Sequence, residues 1–187
     1  DSLLDDDTTG DVDIRAIGDV LIQSASSGSI GTVDNPLEIV GASIRFTNLA
    51  GEAVLATNTY IEVTEGDFVL GGGDPLTVDG ALLDVVALAG GISGNNLYVT
   101  NASTVTLDAF TNIEFDNITV DLASKLTMKA GGGITVNETL DVDDSIVDFD
   151  AQTGDVWIGA ATVGGSEVTV TAGGSIAIND NLDVDDR

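Results

Sequence analysis

The sequence contains no histidine and no cysteine. Those absences exclude histidine-dependent triads, thiol nucleophiles and disulfides, together with the usual zinc, copper and haem ligand sets. Bases are scarce: five Lys and Arg stand against 32 Asp and Glu, a net charge of −27. A surface this acidic repels phosphate, so nucleic acid and anionic membranes are excluded as partners. Aromatic residues make up 4% of the chain, which leaves an aliphatic core. No apolar run approaches the ~18 residues that mark a membrane-spanning helix. The sequence opens Asp1-Ser2-Leu3-Leu4, with neither Met nor a signal peptide, and reads as a processed piece or one unit of something longer.

What is present points to strands. The 187 residues suit one domain, and 43% of them are hydrophobic, enough to bury a core. Glycine is abundant at 23 residues, and the acids divide into 25 Asp and only 7 Glu. Asp favours turns and strand ends, whereas Glu favours helices.

A repeat organises the chain. Residues 130–144 (AGGGITVNETLDVDD) and 172–186 (AGGSIAINDNLDVDD) share 10 of 15 positions at an offset of 42. The basic period is half that. VTLDA at 105–109 is followed by LTMKA at 126–130, VDFDA at 147–151 and VTVTA at 168–172, each 21 residues on. Ile113/Phe115, Ile134/Val136, Val156/Ile158 and Ile176/Ile178 form a second column. Leu140/Val142, Ala161/Val163 and Leu182/Val184 form a third. Leu55, Leu76, Leu97 and Ile118 are also spaced by 21, as are Val78, Val99 and Val120.

Each alternating segment is a strand with one buried face. Three such segments per period make one coil of a parallel β-solenoid, with like positions stacked ~4.8 Å apart. The expectation is therefore an all-β, right-handed parallel β-helix. It has about nine coils of ~21 residues with three short strands per coil, forming one domain over 1–187. Val105, Leu126, Val147 and Val168 should form one interior ladder, and Leu107, Met128, Phe149 and Val170 another. Ala109, Ala130, Ala151 and Ala172 should line a tight corner, while Asn96, Asn117 and the nearby Asn137 should stack at a turn. An antiparallel sandwich also has short alternating strands, but it does not keep a fixed period of 21. The uneven apolar beat also departs from the strict six-residue beat of left-handed hexapeptide solenoids.

TGDVDI (9–14), GDVLI (18–22) and TGDVWI (153–158) resemble the Gly-Asp-Val strand openings of bacterial haemagglutinin-type and giant surface-protein β-helix repeats. The resemblance implies an extracellular or cell-surface right-handed β-helix and no particular ligand.

The two ends carry a further signal. LDVDD at 140–144 leads into DSIVDFDAQTGDVWI at 144–158, and residues 1–14 match the latter at 9 of 14 positions with one gap. The last residues, LDVDDR, thus read on into the first. This predicts head-to-tail stacking at a seam of Ser2, Leu3, Leu4, Leu182, Val184 and Arg187, advancing the axis ~43 Å per unit. The last eight and first thirteen residues together hold ten Asp. Asp5, Asp6, Asp7, Asp183, Asp185 and Asp186 are the candidate ligands for a hard cation, chiefly Ca²⁺, that would offset the repulsion. Asp5-x-Asp7-x-Thr9-Gly10 opens like an EF-hand loop, but position 12 of that loop is Ala16 rather than Glu.

Other motifs carry less. Trp157 and Tyr98 should point outward, as lateral contacts or sugar-stacking platforms. Asp141/Asp143 and Asp148/Asp150 pair carboxylates on one strand face, as acid–base chemistry on sugars requires. Coils of 20–22 residues leave no loops to build a cleft, however, so no enzymatic activity is expected. Three Asn-x-Ser/Thr sequons (Asn101, Asn117, Asn137) are close to the chance number. Outward Thr104, Thr106, Thr127, Thr169 and Thr171 form a threonine array that Lys125, Asp148 and Asp150 interrupt. The expected function is a structural subunit of an extracellular filament or fibrous surface protein whose partner is itself. The alternative is the stalk or carbohydrate-binding segment of a secreted adhesin, with cell-surface polysaccharide as partner.

Overall fold

The structure, a computed structural model, describes residues 14–16, 19–24, 37–41, 43–48, 53–55, 59–63, 65–70 and 75–185. The described strands follow the apolar alternation. The N-terminal ones are β1 (Ile14–Arg15), β2 (Asp19–Ser24), β3 (Leu37–Gly41), β4 (Ser43–Asn48), β5 (Ala53–Leu55), β6 (Thr59–Val63), β7 (Phe68–Leu70) and β8 (Leu76–Asp79). The middle ones are β9 (Leu82–Ala87), β10 (Ile92–Thr100), β11 (Thr104–Ala109), β12 (Ile113–Val120), β13 (Lys125–Ala130) and β14 (Ile134–Asp143). The last are β15 (Ile146–Ala151), β16 (Val156–Gly164), β17 (Glu167–Ala172), β18 (Ile176–Ile178) and β19 (Leu182–Asp185).

Two parallel sheets result. The first runs β1-β3-β6-β9-β11-β13-β15-β17. The second runs β2-β4-β7-β10-β12-β14-β16-β18, with β5, β8 and β19 alongside. The fold is an all-β solenoid of about 6 turns. Among the described residues the first sheet has eight rungs when the short N-terminal strands are counted. Both figures fall below the nine coils expected from length alone, because the early coils are longer: Ala53 pairs with Leu76, 23 residues on.

The interior columns follow the period. Thr59, Leu83, Val105, Leu126, Val147 and Val168 stack in register. So do Ile61, Val85, Leu107, Met128, Phe149 and Val170. Ala87, Ala109, Ala130, Ala151 and Ala172 form the small-residue column where the first sheet ends. From Leu83 to Phe149 the side chains of the first two columns are fully buried. Each large one contributes ~1.5–3 kcal/mol relative to exposure.

Two expectations change. The second and third segments of a coil merge into one long strand in β10, β12, β14 and β16, so the middle coils have two strands rather than three. Alternation resets within them: Phe115 and Ile118 point inward with Asp116 and Asn117 between. Leu55 stacks on Val78, not Leu76, because the 23-residue coil shifts it by one inward position. Leu76, Leu97, Ile118, Leu140, Ala161 and Leu182 do share a column.

Candidate functional site

The C-terminal end of the solenoid is open. Among the described residues β17 pairs only with β15, so one edge of its backbone is unmatched. The inward columns are uncovered there. Leu182 is 56% exposed and Val184 61%, whereas Leu140 and Val142 two coils below are at 1% and 0%. Ile176 and Ile178 are at 52% and 38%, against 0% and 2% for Val156 and Ile158. An apolar depression of ≈ 350 Å³ opens among Val168, Val170, Ile178, Leu182 and Val184. Leu182 and Val184 are thus the seam residues that the structure places at this end. Ser2, Leu3, Leu4 and Arg187 lie outside the described residues.

Two hydrogen-bond ladders tie the coils at their corners. The first is made of serines. The backbone N–H of Ser103 donates to Ser124 Oγ (3.2 Å), that of Ser124 to Ser145 Oγ (3.1 Å) and that of Ser145 to Ser166 Oγ (3.0 Å). Ala81 N–H donates to Ser103 Oγ at 3.2 Å. Ser103, Ser124 and Ser145 are buried, so each hydroxyl satisfies a donor that water does not reach. The preceding turn holds Asn101, Ala102, Leu122, Ala123 and Asp144 at positive φ. Sequence reasoning missed this ladder, although serines at 103, 124, 145 and 166 repeat at 21.

The second ladder precedes the second sheet and alternates. Asp67 Oδ1 accepts from Gly91 N–H (2.7 Å), Asn112 Oδ1 from Gly133 N–H (2.8 Å) and Asp155 Oδ1 from Ser175 N–H (2.6 Å). Going the other way, a side chain on Gly91 or Gly133 would meet the next coil's carbonyl. An added Cβ would lie 2.8 Å from Asn112 O and 2.9 Å from Asp155 O. Acceptor corners (Asp or Asn) therefore alternate with small corners (Gly or Ser). In sequence the same alternation of residue types continues at Asp19 and Ser43, whose backbones pair in register. The unit is two coils, which explains the identity at an offset of 42.

At the third corner Asn117 donates to Asn96 Oδ1 (3.0 Å) and Thr139 to Asn117 Oδ1 (2.6 Å). Asn137 instead donates to Asp116 (3.1 Å) and Glu114 (3.0 Å), because the register shifts between Phe115 and Asn117. Asn96 and Asn117 therefore stack as expected, and Asn137 does not join them.

The outer faces place the candidate residues as follows. Tyr98 is exposed and Trp157 half-buried, three rungs apart, or ~14 Å along the axis. They lie in different columns, Tyr98 with Thr119 and Trp157 with Thr135, so they form no shared platform. Asp141 and Asp143 both face outward. Asp148 lies between Thr127 and Thr169 and breaks the threonine column. Lys129, flanked by Asp108 and Asp150, approaches Asp108 at 4.0 Å. Such an exposed pair is worth ~0–1 kcal/mol. Tyr60 donates to Glu62 Oε2 at 3.0 Å. Burial raises the pKa of the neighbouring Asp84, and the Asp108 charge raises it further. Asp183 and Asp185 are exposed on β19, while Asp5, Asp6, Asp7 and Asp186 lie outside the described residues. No group of three acidic side chains is placed to hold a metal ion among the described residues.

The Gly-Asp-Val openings divide. Val20 of GDVLI stacks on Ile44, in the column that reaches Val156 of TGDVWI. Ile14 of TGDVDI instead pairs with Ile39 in the first sheet, in the column of Phe149. The likeness of 1–14 to 144–158 is therefore out of structural register at Ile14. Comparison of the chain with family models, with curated proteins and with solved structures gives no match.

Proposed function

We propose that the protein is a structural subunit of an extracellular filament or fibrous surface protein, assembling by end-to-end stacking of solenoids. The observation that carries this reading is the open end. Columns buried in every middle coil end in exposed Ile176, Ile178, Leu182 and Val184, beside an unpaired parallel edge. Such an edge is a template for another strand, and Leu182 and Val184 carry the inward column up to it. Eight rungs at ~4.8 Å give an axial advance of about 38 Å per subunit. Asp183 and Asp185 place acidic side chains beside the joint. Ca²⁺ bridging there is part of the proposal.

Sedimentation velocity over a dilution series, with electron microscopy, tests it. End-to-end rods are expected, shortened by chelator and restored by Ca²⁺. Val184→Asp should leave monomers with unchanged circular dichroism, since the residue is exposed in the single chain. Wild-type chains that stay monomeric at every concentration would overturn the reading. Rods indifferent to chelator would remove the cation alone.

A further inference from the structure

We infer that the open end takes a second copy of this chain in one register, with the rung of β1 and β2 seated on the rung of β17 and β18. This deepens the stacking proposal and rests on it. The alternating corners set the register. Within the chain each acceptor rung follows a small rung: Asp67 after Ser43, Asn112 after Gly91, Asp155 after Gly133. At Gly91 and Gly133 the absence of a side chain is required because the next corner's carbonyl crowds the Cβ position. The last described rung has a small corner, Ser175, whose N–H is already taken by Asp155. It is therefore followed correctly by an acceptor rung. The first described rung of the second sheet begins at Asp19, the residue type that accepts at Asp67 and Asp155.

The sequence of that first rung agrees. In sequence, residues 12–22 (VDIRAIGDVLI) correspond to 147–158 (VDFDAQTGDVWI) with one gap. Val12 matches Val147, Asp13 matches Asp148 and Ala16 matches Ala151. Gly18-Asp19-Val20 matches Gly154-Asp155-Val156, and Ile22 matches Ile158. Residues 147–158 already sit on a small-corner rung, that of Gly133. The first rung of a second copy would therefore meet a seat of the kind its counterpart occupies inside the chain. Charge favours the same placement. Arg15 is exposed and lies in the outward column that runs Asp108, Lys129, Asp150, Thr171. Seated on β17 it stands over Thr171, two rungs from Asp150. It would add a positive charge to an end that carries Asp150, Asp183 and Asp185.

Cysteine pairs test the register directly, because the chain has none of its own. Leu21 and Ala177 share one backbone column, with Arg45 next to Leu21. Neighbouring parallel strands lie ~4.8 Å apart, within the ~4.4–6.8 Å Cα separation that a disulfide spans. The chain carrying Leu21→Cys and Ala177→Cys should oxidise to a ladder of linked multimers. The chain carrying Arg45→Cys and Ala177→Cys, which would set a small corner on a small corner, should not. Ser175→Leu, exposed in the single chain, should keep its melting temperature and weaken association at least tenfold. If Val184→Asp leaves association unchanged, stacking at this end is wrong, and the register falls with it. If Val184→Asp abolishes association but the Leu21–Ala177 pair stays reduced, the register is overturned while stacking stands. The same holds if the Arg45 pair closes equally well or Ser175→Leu associates normally. The occupant is then another rung, or a different solenoid segment.

Discussion

Gly94 occupies an inward position between Leu70 and Phe115 in one column of the second sheet. Its missing side chain is the space into which the Phe115 ring leans. A Cβ built there lies 2.8 Å from Leu70 Cβ and 2.8 Å from Phe115 Cε1. Phe115 is fully buried and Leu70 nearly so, so neither has room to withdraw. Gly94→Ala should therefore cost about 1–3 kcal/mol as overpacking. For a chain of this size that lowers the melting temperature by roughly 2–4 °C per kcal/mol. Phe115→Leu on its own should also destabilise, by leaving a cavity. The two should not add. In the Phe115→Leu background the methyl group finds space, and the cycle should show a favourable coupling of about 1 kcal/mol. Thermal and denaturant melts of the four chains measure it, with Ser93→Ala, a half-buried outward neighbour, as control. A neutral Gly94→Ala, or an equal loss in both backgrounds, would refute the packing argument.

Phe149→Asp should cost roughly 3–5 kcal/mol or unfold its coils, because a carboxylate between Met128 and Val170 has no partner. Thr106→Asp on the outer face should cost less than about 1 kcal/mol even beside Asp84, and equal melting of the two variants would show the register to be wrong. Ser124→Ala should cost about 1–3 kcal/mol by stranding the buried Ser103 N–H; a loss no larger than that of Thr127→Ala would leave the serine ladder without energetic weight. Asp84 has a raised native pKa, so the native state binds its proton more readily than the unfolded chain. Its charge is thus a destabilising contribution at neutral pH, relieved as pH falls through that raised value towards the ordinary aspartate range. Asp84→Asn should raise the melting temperature at pH 7 and reduce the gain on acidification; an unchanged pH profile would refute the assignment.

The inward columns were legible because burial in a solenoid imposes two periods at once, two along the strand and 21 along the chain. Val105 through Val168 could hardly be placed otherwise. The same arithmetic misplaced Leu55, since 21 separates it from Leu76 while the coil there is 23 long. Counting apolar residues also passed over the serine ladder. Ser103, Ser124, Ser145 and Ser166 carry the same period, but their role depends on a backbone N–H in the neighbouring coil, which no pattern of side chains displays. Of the Gly-Asp-Val copies, those containing Val20 and Val156 stand in one column at the start of the second sheet, while the copy at 10–12 lies outside the described residues.

The alternating corners also constrain how such a chain can change its length. Excising one 21-residue coil from the middle would bring two acceptor corners or two small corners into contact. Two acceptors would press a side chain against a carbonyl, and two small residues would leave an N–H without its Asp or Asn. Excising 42 residues restores every neighbour. A gene that lengthens by unequal crossing-over would therefore retain duplications in pairs of coils and lose the odd ones. The segments 130–144 and 172–186, alike at 10 of 15 positions, stand two coils apart, the spacing that this constraint allows.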